Sequence, residues 1–218
     1  MKLDNDAIKK SMLLYAITDR GWLKEGETLE SVVEDVLKSG ATFLQLREKI
    51  QGHEEIVKTA RNLQALCKKY NVPFVVNDDI IAAKEIDADG VHIGQSDMEY
   101  TKAREILGPD KIIGVSAGNL AEAKEAERVG ADYIGVGAVF HTDTKKDATS
   151  LTMAQLKEIS EEVSIPVVAI GGISIDNALE LKGTGVDGIC VISAIFGSEN
   201  PSEATKKLLD LSKQIISK

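Results

Sequence analysis

The chain is poor in cysteine, histidine and positive charge, and each shortage narrows what it can be. Only two cysteines, Cys67 and Cys190, stand among 218 residues. Both lie in apolar stretches without metal-type neighbours, so they read as buried core thiols. A disulfide scaffold and a cysteine metal cluster are excluded. No apolar run approaches the ~18 residues of a membrane span. The N-terminal MKLDNDAIKKSMLLYAITD turns acidic within six residues and lacks a small-residue cleavage site. It does not read as a signal peptide, and a cytoplasmic protein is expected. Asp plus Glu number 35 against 26 Lys plus Arg, a formal net charge of −9. That balance argues against nucleic acid or an anionic membrane as the partner. A few basic residues gathered in one cleft remain able to hold an anionic metabolite. Of the three histidines, His53 is expected exposed at a helix start and His92 within a strand as a core residue. His141 falls in a loop that could reach a ligand. None has an evident nucleophile partner, so a hydrolytic triad is not expected.

What is present is an ordinary globular balance, 43% hydrophobic and 28% charged. A chain of this length buries ~70% of its unfolded surface and needs no staples. Short β-branched runs alternate with longer amphipathic stretches. The strand-like runs are 12–18, 42–47, 73–77, 90–93, 111–116, 132–137, 166–171 and 187–192. Their spacing leaves room for the crossover helix that parallel strands require. Residues 29–40 carry Leu29, Val32, Val33, Val36 and Leu37 on one helical stripe, closed by Gly40. Residues 53–70, 119–130, 174–185 and 200–218 read as further helices. Eight βα units point to a single compact (β/α)8 TIM barrel over residues 1–218. A doubly wound open sheet is the alternative, disfavoured because no GxGxxG follows the first strand. The phrases GATFLQ, GADYIGV and GVDGICV resemble one another, as a recurring helix-end, strand-start pattern would.

In a (β/α)8 barrel the chemistry lies at the C-terminal strand ends. Strand alternation puts Phe43, Gln45 and Arg47 on one face of the second strand and Leu44 and Leu46 on the other. Gln45 and Arg47 then point into the barrel mouth, with Lys49 just above. An inward Arg needs a counter-charge, either a buried salt bridge or an anionic ligand. Asn77-Asp78-Asp79 ends the third strand, and Gly94-Gln95-Ser96-Asp97 follows the fourth. Asp78 and Asp97 each precede a helical stretch and could be N-caps. Taken with Arg47 and Lys49, they read as a Mg2+ and diphosphate site, since Mg2+ uses one or two carboxylates and fills its other positions with water and phosphate oxygens. A loop after the sixth strand offers Thr142, Thr144 and Lys145, which could form a lid. Gly172 after the seventh strand, with Ile192 and Ser193 after the eighth, occupies the common barrel phosphate site. Two anion sites suggest two phosphorylated substrates, one losing diphosphate to the other.

Several segments carry a family resemblance. LYAITDR, TFLQLREK, VNDD, DGVHIGQSD, IIGVSA, DYIGVGAVFHTDTKKDA, VVAIGGI and GICVISAIF, in that order from about residue 12 onward, resemble thiamine-phosphate synthase. The resemblance implies a transferase joining 4-amino-2-methyl-5-hydroxymethylpyrimidine diphosphate to 4-methyl-5-(2-hydroxyethyl)thiazole phosphate, or to its carboxylated precursor. It implies that Gln45, Leu46, Arg47, Glu48, Lys49, Asn77, Ser116 and Lys145 contact the pyrimidine diphosphate. Of these, Arg47, Lys49, Ser116 and Lys145 would carry the catalysis. Asp78 and Asp97 would hold Mg2+. Thr142, Asp143, Thr144, Gly172, Ile192 and Ser193 would contact the thiazole phosphate. The family tends toward homodimers. Ala138 and His141 stand where it often has Pro, and Gly118 where it often has His. The nearest rival is a thiazole tautomerase of the same barrel type, which works through a His at the position of Gly118. A phosphosugar isomerase would need a base and acid pair not evident here. A non-catalytic binder would have no need of the metal motif.

Overall fold

A computed structural model describes residues 4–142 and 150–217. Eight parallel strands close into a barrel in chain order. They are β1 (Leu14–Ile17), β2 (Phe43–Leu46), β3 (Phe74–Asn77), β4 (Gly90–Ile93), β5 (Ile112–Ala117), β6 (Tyr133–Val136), β7 (Val167–Ile170) and β8 (Gly188–Val191). Each falls in an expected run, with β5 one residue longer at its end. Around them lie α1 (Asn5–Ser11), α2 (Leu29–Lys38), α3 (His53–Tyr70), α4 (Ile80–Glu85), α5 (Tyr100–Leu107), α6 (Leu120–Val129), α7 (Met153–Glu162), α8 (Ser193–Phe196) and α9 (Pro201–Ile216).

The apolar alternation of each strand builds two cores. Leu44, Leu46, Val76, Val91 and Ile134 face outward and pack against the helices. The whole expected stripe of α2 is buried there. Tyr15, Phe43, Val75, Ile112, Tyr133, Val168 and Cys190 face inward and fill the barrel. Both cysteines are buried, Cys67 in the outer core and Cys190 in the inner one, and burial raises both thiol pKa values. The expected helix over 174–185 is instead a 3-10 turn at Ala178–Leu181. Gly183 and Gly185 adopt φ of 84° and 81° beyond it, and such left-handed backbone cannot continue a helix. A helix that was not expected, α1, places Ile8, with Met12 just beyond it, as a plug at the N-terminal end of the barrel.

The recurring phrases have a structural cause. The residue before each even-numbered strand accepts a hydrogen bond from the first N–H of a neighbouring strand, or from one beside it. Thr42 Oγ1 takes Leu14 N at 2.8 Å, Asp89 Phe74 N at 2.9 Å, Asp132 Ile113 N at 2.8 Å and Asp187 Val167 N at 2.9 Å. This closes the N-terminal rim with satisfied polar groups and leaves the opposite rim for chemistry.

Candidate active site

The strand ends enclose a cavity of about 770 Å3 at the C-terminal rim. Gln45, Arg47 and Lys49 reach it from β2 as alternation requires. Asp78 and Asp97 both line it, from the ends of β3 and β4, near enough for Asp97 to act on the Asp78 carboxyl. Lys49 Nζ lies 3.2 Å from Asp78 Oδ2.

Neither aspartate caps a helix. Asp78 has φ of 62°, an unusual left-handed conformation for a non-glycine residue. The capping falls to Asp79, whose Oδ1 accepts from Ala82 N at 2.8 Å. Asp97 Oδ2 accepts from Gly94 N at 2.6 Å and closes its own loop. The α5 N-cap position is Glu99, which makes no side-chain cap. Burial, with help from Asp97, raises the Asp78 pKa, and Lys49 opposes the shift. Two carboxylates opening on one cavity are a donor set suited to a hard cation. Among the described residues no group of three or more metal-type side chains converges. A cation held here would therefore take its remaining ligands from water or substrate.

The far wall is made of backbone. Gly171 and Gly172 have φ of 101° and 66°. A Cβ on Gly172 would lie 2.3 Å from the His141 carbonyl oxygen, so only glycine fits against that loop. Asn177 Nδ2 donates to the Gly172 carbonyl at 2.9 Å and fixes the turn. Ile192 and Ser193, where α8 begins, complete this wall with Thr142.

A match to known sequences now decides the family. The family model described as thiamine monophosphate synthase matches residues 14–195. The chain belongs to the thiamine monophosphate synthase family. It is 52% identical over 199 residues to the thiamine-phosphate synthase of Clostridium novyi (strain NT), covering 91% of this chain and 97% of that one. It is 49% identical over 195 residues to the thiamine-phosphate synthase of Clostridium botulinum (strain Eklund 17B / Type B), covering 89% and 91%. The solved structure of thiamine phosphate pyrophosphorylase from Pyrococcus furiosus matches with a TM-score of 0.89 and 42% identity, over 96% of this chain and all of that one. Thiamine-phosphate synthesis is a transferase activity, and these matches do not favour the tautomerase.

Within this family member most of the expected site residues converge. Gln45, Arg47, Lys49, Asn77, Asp78, Asp97, Ser116, Thr142, Gly172, Ile192 and Ser193 all line the cavity. Leu46 and Glu48 are not among the residues lining it. The Leu46 side chain packs in the outer core, because period-two alternation turns it away from Gln45. Glu48 is held by Arg20, whose Nη2 and Nε lie 2.8 and 3.1 Å from its Oε1. Asp143, Thr144 and Lys145 lie outside the described residues. His141 is exposed and outside the cavity lining. His92, Gln95, Asn119 and Glu122, which were not among the expected site residues, also line the wall. Gln95 Nε2 donates to the Ser116 carbonyl at 2.7 Å, and Glu122 Oε2 accepts from Gly118 N at 2.7 Å. Period-two alternation along β4 is the signal that puts His92 on the inner face; the loop residues carry no comparable signal.

Proposed function

We propose that the cavity joins 4-amino-2-methyl-5-hydroxymethylpyrimidine diphosphate to 4-methyl-5-(2-hydroxyethyl)thiazole phosphate, releasing thiamine phosphate and diphosphate. The observation that carries this reading is the meeting of Asp78 and Asp97 beside Arg47 and Lys49, opposite a glycine-built wall suited to a second phosphate. Mg2+ held by Asp78 and Asp97 would neutralise charge on the diphosphate. Arg47 and Lys49 hold the same diphosphate from β2 and stabilise the negative charge that grows as it leaves. The C–O bond breaks with its electron pair going to the diphosphate, and the aminopyrimidine ring delocalises the cation left on the methylene carbon. The thiazole nitrogen lone pair then forms the C–N bond. That nitrogen becomes quaternary with no proton to lose, so no general base is required. Gly172, Ile192 and Ser193 orient the thiazole phosphate, and alignment of the two rings supplies the rest.

The test mixes the protein with both substrates, with and without Mg2+, and follows thiamine phosphate as fluorescent thiochrome. Product is expected only when both substrates and Mg2+ are present. Product formed equally well under chelation would overturn the metal assignment. No product from folded protein would overturn the reaction.

A further inference from the structure

Five polar side chains cross the barrel interior in one run of hydrogen bonds. Gln45 Nε2 donates to the Tyr15 hydroxyl at 2.5 Å. The Tyr15 and Tyr133 hydroxyls are 2.7 Å apart. Tyr133 OH lies 3.0 Å from His92 Nδ1, and His92 Nε2 lies 3.0 Å from Ser116 Oγ. The run draws on β1, β2, β4, β5 and β6 and begins and ends on the cavity wall, at Gln45 and Ser116. Glycines make room for it. A Cβ on Gly114 would lie 2.1 Å from Tyr133 Cζ, and one on Gly135 would lie 3.3 Å from His92 Cε1.

The hydrogens in this run are not independent. Burial pushes both phenols well above their ordinary pKa, so each keeps its one hydrogen. Tyr15 accepts from the Gln45 amide, so its own hydrogen goes to Tyr133. Tyr133 must then donate to His92 Nδ1. A neutral imidazole that accepts at Nδ1 carries its hydrogen on Nε2, and that hydrogen goes to Ser116 Oγ. The Ser116 hydrogen is left for the cavity. At the other end the Gln45 amide has spent one N–H and keeps its carbonyl oxygen for a ligand.

We propose that this run fixes the donor and acceptor pattern of the pyrimidine-binding wall, holding His92 as the Nε2–H tautomer so that Gln45 presents an acceptor and Ser116 a donor. Tyr15, Tyr133 and His92 are then positioning residues. The pattern suits a ligand with an amino donor together with ring-nitrogen or phosphate acceptors. Reversing the run would exchange both ends at once, so neither end can adapt alone. The ligand assignment rests on the reaction proposed above; the tautomer does not.

Three histidines in the chain make the test direct. Histidine 15N labelling with long-range proton–nitrogen correlation reads each ring's tautomer, and the His92 signals are identified by their loss in His92→Gln. The expected result is His92 protonated at Nε2 and accepting at Nδ1. A His92 protonated at Nδ1 overturns the polarity. Tyr133→Phe removes the middle link at nearly constant shape. It should disturb the His92 pattern and raise KM for the pyrimidine diphosphate about tenfold, with KM for the thiazole phosphate within about twofold of wild type. Tyr15→Phe should do the same, and the double variant should lose no more than either single one, because the run acts as a unit. A wild-type KM for Tyr133→Phe, or losses that simply add, overturns the positioning role. The Nε2–H tautomer in a protein that makes no thiamine phosphate would sustain the run and reject the reaction.

Discussion

The two rims of the barrel use the same residue type for opposite ends. At the N-terminal rim Asp89, Asp132 and Asp187 each accept a backbone N–H from a nearby strand. Asp132 also pairs with Arg104 at 2.7 Å, and Asp187 with Lys9 at 2.9 Å. Their charge is consumed by the fold, and α1 closes that end. At the C-terminal rim Asp78 and Asp97 face each other with Lys49 as the cation beside Asp78. Both line the cavity, where a ligand can reach them. Adjacent residues divide in the same way: Asp79 caps α4 and meets His53, while Asp78 turns into the cavity. The difference teaches that a carboxylate at a strand end is structural where neighbouring strands bind it, and open to a ligand where it lines the cavity, even when, as in Asp97, one oxygen also closes its own loop.

Removing a charge from each rim should separate the two roles. Asp78→Asn is expected to produce the largest change, a fall in thiamine phosphate formation of ~100-fold, with folding intact. A near wild-type rate would break the comparison. The same carboxylate links metal to pH. Its pKa is raised in the folded protein, so the unfolded chain gives up the proton first. The stability this group contributes is complete below the ordinary carboxylate range and is lost as pH rises through the raised value. Mg2+ should therefore raise the thermal midpoint more near pH ~7 than near pH ~4, and Asp78→Asn should abolish that difference.

Asp132→Ala should show the reverse profile. It leaves Arg104 and the Ile113 N–H without their carboxylate, a loss of about 3 kcal/mol in urea unfolding, with the activity of the folded fraction nearly unchanged. An activity loss matching that of Asp78→Asn would show that the rims are not separate. The smallest effect is expected at His53. Hydrogen bonds to Asp79 first and Glu85 second raise its pKa. The stability it contributes is present in full below the ordinary histidine range and is lost as pH rises through the raised value. The urea midpoints of wild type and His53→Gln should differ at pH ~5 and converge by pH ~9. A constant gap would show that the pairing is not electrostatic.

Much of this was legible beforehand, because periodicity is a local property. Alternation along 42–47 placed Gln45 and Arg47 inward and Leu44 outward, and the stripe of α2 named its buried face. Leu46 and Glu48 belong to the same segment, but alternation turns the Leu46 side chain into the outer core and Arg20 holds Glu48, a pairing that the segment alone does not reveal. The 3-10 turn at Ala178–Leu181 differs from the helix expected over 174–185 because residue types alone do not reveal that Gly183 and Gly185 adopt left-handed backbone.

The sequence by itself determined eight alternating units, the inward and outward faces of the strands and the family to which the chain belongs. These depend on residue order and on side-chain types a few positions apart. Only the tertiary structure decided which aspartates are pinned to neighbouring strands and which open on the cavity, and that Tyr15, Tyr133 and His92 join Gln45 to Ser116. Those outcomes depend on the stagger between strands far apart in the chain. A hydrogen bond needs its partners within about 3 Å, and that proximity exists only once the barrel has closed.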